Sequence, residues 1–451
     1  MFDALCDKLV DVNEKLEYVP QLATSWKWSA DGKSLTMTLR DGVRFHDGEK
    51  FDAQAVKANI ERHKTAKGSA RSGDLRPVTG VEVLDPLTVR LDLSSAYLPL
   101  LAALADRAGM MVSPKAAEGG DFATRPVCSG PFRFVERVPQ DRIVLERFEE
   151  HWNKANIHLD KIIYLPIPDA TVRLANLKSG QLDFIERVAA SDMAGLARDG
   201  KFKTAAITEI GYQGITVNVG NGERAAKSPM HDPRVREAFE LSLDREGIVQ
   251  VVMEGQAVIG NQWVAPDNTF YAKSVAIPKR DVARARALLK EAGMPNPTIG
   301  LLAATTSDAQ KIAQVVQAMA KEAGFDVKIQ TSEFATSLNM AKAGDFDTYV
   351  LAWSGRADPD GNLYIFHGCK QPLNYSGYCT PELDALLNLQ RTQADTGERA
   401  ATFAKIAQIV QKERAIVYLY HRKWLWAFSP KLTGVRELPD GLLRVDGLAM
   451  K

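Results

Sequence analysis

"DAQKIAQVVQAMAKEAGFDVKIQ", residues 308–330, decides the fold class. It reads as a helix of about eighteen residues running straight into a strand. "DFDTYVLAW" (345–353) is the next strand. Strands alternating with helices between 290 and 355 imply βαβ units and a mixed sheet.

The surrounding segments repeat that grammar. "DPRVREAFELSLDREGIVQVVMEG" (232–255) reads as two helices, capped by Asp232 and Asp244, with Pro233 in the first turn and Gly255 as the stop. "DVARARALLKEAG" (281–293) starts at Asp281 and stops at Gly293. "PELDALLNLQRTQ" and "RAATFAKIAQIVQKERA" add two more helices, and "ATVRLANLKSG" ends at Gly180 before the short strand "QLDFIE". The front of the chain differs. "SLTMTLRDGVRF" (34–45) alternates Leu35, Met37 and Leu39 with polar residues, as a half-buried strand does. A short helix capped by Asp52 follows, then strand pairs around Asp85-Pro86 and in "SGPFRFVER" with "DRIVLERF". The first 150 residues therefore read as an α+β unit rich in antiparallel sheet.

Composition narrows the function. The length of 451 residues calls for two or three domains, and 45% apolar with 25% charged residues is ordinary for a globular chain. A net charge of +1 argues against a nucleic-acid binder. There is no run of eighteen or more apolar residues, the length a membrane-spanning helix needs. "MFDALCDKLVDVNEKLEY" carries Asp3, Asp7 and Lys8 and lacks the apolar segment of a signal peptide. Of four cysteines, Cys369 and Cys379 bracket "KQPLNYSGY", a stretch able to fold back on itself; a disulfide there implies an oxidising compartment. Cys6 and Cys128 are left open between paired and free. Seven histidines fall in no metal-binding or nucleophile-base pattern, and neither GxGxxG nor a P-loop occurs, so no catalytic residue, metal or cofactor is assigned.

No exposed linker separates the regions. "GYQGITVNVG" (211–220) and "RKWLWAFSPKLTG" (422–434) are extended segments suited to cross between two lobes, and two such crossings would make a hinge.

Seven strings in order carry a family resemblance across nearly the whole chain. They are "PQLATSWKWSADGKSLTMTLRDGVRFHDGEKFDAQAVKANIER", "PVCSGPFRF", "HWN", "RLANLKSGQLDF", "SPMHDPRVREAFELSLDREGIVQVVMEGQA", "ARALLKEAG" and "YSGYCTPELDALL". Together they resemble the family-5 extracytoplasmic solute-binding proteins of peptide, nickel and opine ABC importers. The resemblance implies a bilobal α/β fold of the periplasmic-binding-protein type (type II, cluster C) with an antiparallel α+β domain inserted in the first lobe. On this sequence the first lobe would be 1–17 with 146–215 and 427–451, the insertion 18–145 and the second lobe 216–426. It also implies a periplasmic monomer that closes on a small-molecule ligand and delivers it to permease and ATPase subunits at the inner membrane. The start of the chain resembles the helix after the family's first strand, so the expectation is that a leader and that strand lie upstream, the alternative being that part of the first lobe has been lost. A departure is Cys128-Ser129-Gly130-Pro131-Phe132 where the family reads GTGPF; Cys in place of Gly suggests that no positive φ is needed there.

"LAWSGRADPDGNLYIF" (351–366) holds the second departure. Peptide-binding members carry an aspartate three residues after the strand tryptophan, paired with the ligand's ammonium. Counted from Trp353 that position is Arg356, a cation suited to carboxylate or phosphate. The expected ligand is thus peptide-like, opine-like or an organic acid, with an anionic group near Arg356; the competing reading pairs Arg356 with Asp358 or Asp360. Trp353, Ser354, Asp358, Tyr212, Trp263 and Phe334 complete the expected ligand-binding set, the aromatics for their flat apolar area. A haem or metal-chelate receptor of the same family and, further off, a peptide hydrolase are the alternatives.

Overall fold

A computed structural model describes residues 1–66, 69, 73–119 and 122–451. They divide into two compact units, Met1–Ile207 with Leu425–Lys451, and Thr208–Trp424.

In the first unit the alternation in 34–45 becomes a strand, but only as Ser34–Leu39. Asp41-Gly42 turns the chain there, with Gly42 at φ +74°. That strand lies in a four-stranded antiparallel sheet in the order Ala23–Trp28, Ser34–Leu39, Thr88–Leu93, Val78–Asp85. Its inward residues Leu35, Met37 and Leu39 are buried. The helix Ala53–Thr65 begins where Asp52 accepts from the Ala55 amide, and its buried Val56 and Ile60 join the same core. A three-stranded antiparallel sheet follows, Phe132–Val138, Arg142–Arg147 and Lys161–Tyr164. Cys6 is disulfide-bonded to Cys128, which is outside the left-handed region, so Cys in the glycine position carries no backbone strain.

The polar heart of this unit is ionic. Lys8 Nζ donates to Asp3 at 2.9 Å and to Asp11 at 2.7 Å. Arg444 Nη2 donates to Asp11 at 2.9 Å and to Asp440 at 2.8 Å. Burial alone would raise the Asp11 pKa, but the Lys8 and Arg444 charges win and hold it at about 2.

The second unit contains the βαβ segment. The parallel strands Thr298–Ala304 and Asp326–Ser332 are joined by the helix Ser307–Ala323, whose Ile312, Ala313, Val316 and Ala320 are buried. Gly324 ends that helix at φ +108°, and a Cβ there would lie 2.7 Å from the Pro295 carbonyl. Thr348–Trp353 adds in parallel to Thr298–Ala304, then Tyr212–Val217 pairs antiparallel with Thr348–Trp353 and with the strand beginning at Ile416. The sheet is mixed, as expected. Helices Pro233–Ser242, Arg245–Met253 and Val282–Glu291 begin at Asp232, Asp244 and Asp281, each accepting from an amide of the first turn. Their apolar faces join Ile215, Leu301 and Leu419 in one core.

Candidate functional site

The end of the strand Thr348–Trp353 is built by two glycines. Tyr212 and Trp353 are partners in register. Just past them, a Cβ on Gly211 would lie 2.0 Å from the Trp353 carbonyl, and one on Gly355 would lie 2.4 Å from the Ile210 carbonyl carbon. Gly355 also sits at φ +85°, so this backbone-to-backbone contact admits only glycine on both counts. The chain then turns through Asp358-Pro359 into a helix, Asp360–His367, that the sequence reading left as loop. No side chain caps it; Asp358 Oδ1 instead accepts from the Asp360 amide at 2.9 Å.

Arg356 lies folded back on this turn. Its Nη1 donates to the Gly355 carbonyl at 2.8 Å and its guanidinium carbon is 4.7 Å from the centre of the Trp353 ring. Its stem passes over Gly361, where an added Cβ would come within 2.7 Å of the Arg356 Cβ and Cγ. Asp358 is buried and receives two bonds from Arg399, at 2.8 and 2.7 Å. Asp360 accepts from Gln390 at 2.5 Å and is 3.2 Å from Arg391. Burial is the main cause pushing the Asp360 pKa up to about 6. These two carboxylates are therefore bound to Arg399 and Arg391, residues far along the chain.

Of the expected ligand-binding residues, Trp353, Ser354, Arg356 and Asp358 come together in this one turn. Ser354 is exposed, and Trp353 and Arg356 are half-buried. Tyr212 is buried beneath them, edge-on to Tyr418 and Phe366, and Phe366 is in turn edge-on to Trp353 at 5.0 Å. Trp263, expected at a loop tip, is instead fully buried against Phe403, in the apolar cluster that also holds Tyr212 and Trp353. The cause lies in its neighbours. Gln262 bonds both the amide and the carbonyl of Ala272, and Asn261 bonds Gln411, which folds the loop inward. Phe334 is not in that cluster; it opens the helix Phe334–Ala343 and is about half exposed. Cys369 and Cys379 are disulfide-bonded, as their spacing suggested.

The sequence reading missed Asn362, and it weighed His367 and His421 as lone histidines within reach of a cleft but more simply explained as satisfied core or surface residues. Asn362 bonds Trp353 and both the amide and the carbonyl of Arg356. His367 and His421 are fully buried below the turn, His367 against the Tyr418 hydroxyl and His421 against the Gly211 carbonyl. Burial lowers both their pKa values to about 4, so both are neutral at pH 7. "DPDGN" held the only local signal, an Asx-rich turn. The turn thus combines a stacked cation, a half-buried indole and an exposed hydroxyl above two neutral histidines.

Comparison with known proteins agrees. Residues 17–374 match the family "Bacterial extracellular solute-binding proteins, family 5 Middle". The glutathione-binding protein GsiB of Salmonella paratyphi A is 29% identical over 445 residues, 95% of this chain and 86% of that protein. AgaA of A. tumefaciens R10, solved with agropinic acid, superposes with a TM-score of 0.83 at 25% identity, covering 100% of this chain and 93% of that one. NikA of Brucella suis, solved with Fe(III)-EDTA, gives 0.88 at 22% identity, covering 100% and 95%. The fold is that of the type II periplasmic binding proteins.

Proposed function

The chain belongs to the bacterial extracellular solute-binding proteins of family 5, receptors of ABC importers, and from that premise we propose that its ligand is a small organic acid or acidic peptide whose anionic group is taken by Arg356. The observation that carries this reading is the seat of that cation. Arg356 is stacked on Trp353 at the strand end, half-buried, with its stem held over Gly361. A cation here repels an ammonium group and favours a carboxylate, the more so where water is excluded. Relatives named for glutathione and solved with agropinic acid, both acids, support the same class.

In this reading Trp353 and Ser354 contact the ligand beside Arg356, with Tyr212 and Trp263 as their apolar backing. Residues 216–426 form one lobe, 1–17 with 146–215 and 427–451 the other, and 18–145 an added domain. The ligand stabilises a closed form by its differential affinity, and permease and ATPase subunits read that form. The ligand leaves unaltered. Two disulfides support action in an oxidising compartment, the periplasm.

Calorimetric titration with glutathione and with an unmodified dipeptide tests the reading. Glutathione is expected to bind, and Arg356→Ala to weaken it by about 1.5–3 kcal/mol, the range of a hydrogen bond to a charged group. Tight binding of the dipeptide by wild type and Arg356→Ala alike would overturn it.

A further inference from the structure

Asn362 uses its whole hydrogen-bonding capacity on the turn. Its Oδ1 accepts from Trp353 Nε1 at 3.0 Å and from the Arg356 amide at 2.6 Å. Its Nδ2 donates to the Ile210 carbonyl at 3.0 Å and to the Arg356 carbonyl at 3.2 Å. An amide side chain offers two acceptor sites and two donors, and all four are filled. One buried residue therefore holds the indole, both backbone groups of residue 356 and the segment entering the neighbouring strand.

We propose that Asn362 is a positioning residue for recognition: it fixes Trp353 and Arg356 in one mutual geometry before any ligand arrives. The proposal rests on the reading of Arg356 as the anion-binding residue. Its physical basis is preorganisation, since a guanidinium already fixed in place loses less freedom on binding. Gly361 completes the seat by leaving room for the Arg356 stem. No other side-chain type of this size can replace the amide. Aspartate, the closest in shape, keeps the two acceptor bonds but sets a carboxylate oxygen against the Ile210 and Arg356 carbonyls. Leucine keeps the volume and loses all four bonds.

Uniform nitrogen-15 labelling shows the seven tryptophan indoles alongside the backbone amides, and Trp353→Phe assigns the indole of interest. In wild type the Trp353 indole and the Arg356 amide are expected to exchange slowly with solvent. Asn362→Ala is expected to speed both at least about tenfold, the loss of one net hydrogen bond or more, while the Tyr349 amide in the adjoining strand keeps its rate. Asn362→Asp is expected to restore slow exchange at both positions. Glutathione is the binding probe. Asn362→Ala is expected to weaken it about tenfold, again one hydrogen bond's worth, and to add little in the Arg356→Ala background. Unchanged exchange at Trp353 and Arg356 in Asn362→Ala would overturn the proposal, as would equal acceleration at Tyr349, which marks a purely structural role. If exchange behaves as expected but Arg356→Ala binds glutathione as wild type does, the positioning stands and the anion reading falls.

Discussion

Around Lys8 the first unit arranges buried polar atoms by charge; around Asn362 the turn of the second unit does so with a neutral amide, set beside the Asp358–Arg399 pair. Around Lys8 and Arg444, cations and carboxylates are matched at 2.7–2.9 Å, so charge is answered by charge inside the protein. Around Asn362, four bonds are made with no formal charge on the hub. A buried ion network loses heavily when one member is removed, because the others stay buried and unmatched. An amide hub fixes its neighbours without adding a charge of its own. The difference is between a cluster whose members hold one another by charge and one centred on a single neutral side chain.

Acid gives the largest expected break in this contrast. His367 and His421 are held near 4 by burial, against an ordinary 6.5. The unfolded chain therefore binds more protons between these values, and stability contributed above pH 6.5 is lost as pH falls toward 4. A shift of that size is on the order of 3 kcal/mol for each histidine. Asp360 works the other way. With its carboxyl raised to about 6, the folded state binds the proton more tightly, so its contribution improves as pH falls through 6 toward 3.8. Urea titrations at pH 7 and 4.5 should show the net loss, and Asp360→Asn should steepen it.

Next in size is the ionic network. Arg444→Met should cost about 3–5 kcal/mol, the loss expected when one partner of a buried ion pair goes. Equilibrium denaturation measures it; a loss under 1 kcal/mol would mean that Lys8 alone suffices. The smallest expected difference lies between the disulfides. Cys6–Cys128 spans 122 residues and Cys369–Cys379 spans 10. Chain entropy then assigns about 5 kcal/mol to the first and about 3 to the second. Comparing Cys6→Ser/Cys128→Ser with Cys369→Ser/Cys379→Ser in the same denaturation assay checks the order.

Local features were legible in the sequence, non-local ones were not. Asp52, Asp232, Asp244 and Asp281 announce their helices because a cap acts within three residues of itself. The helix Asp360–His367 escaped notice because it has eight residues and no side-chain cap. Asp358 stands in the expected ligand-binding set; in the structure it accepts from the Asp360 amide and its carboxylate belongs to Arg399, 41 residues away. Trp263 was placed by hydrogen bonds of its loop that composition does not announce. The pairing of Cys6 with Cys128 depends on tertiary approach alone.

Gly361 exists in this seat on behalf of a neighbour. A methyl group there would come within 2.7 Å of the Arg356 Cβ and Cγ. A short acidic side chain at 356 would bring a Cβ and a Cγ of its own, so the restriction on residue 361 outlasts an exchange of the arginine. A reversal of charge at residue 356 therefore asks nothing of its neighbour, and the glycine serves either sign.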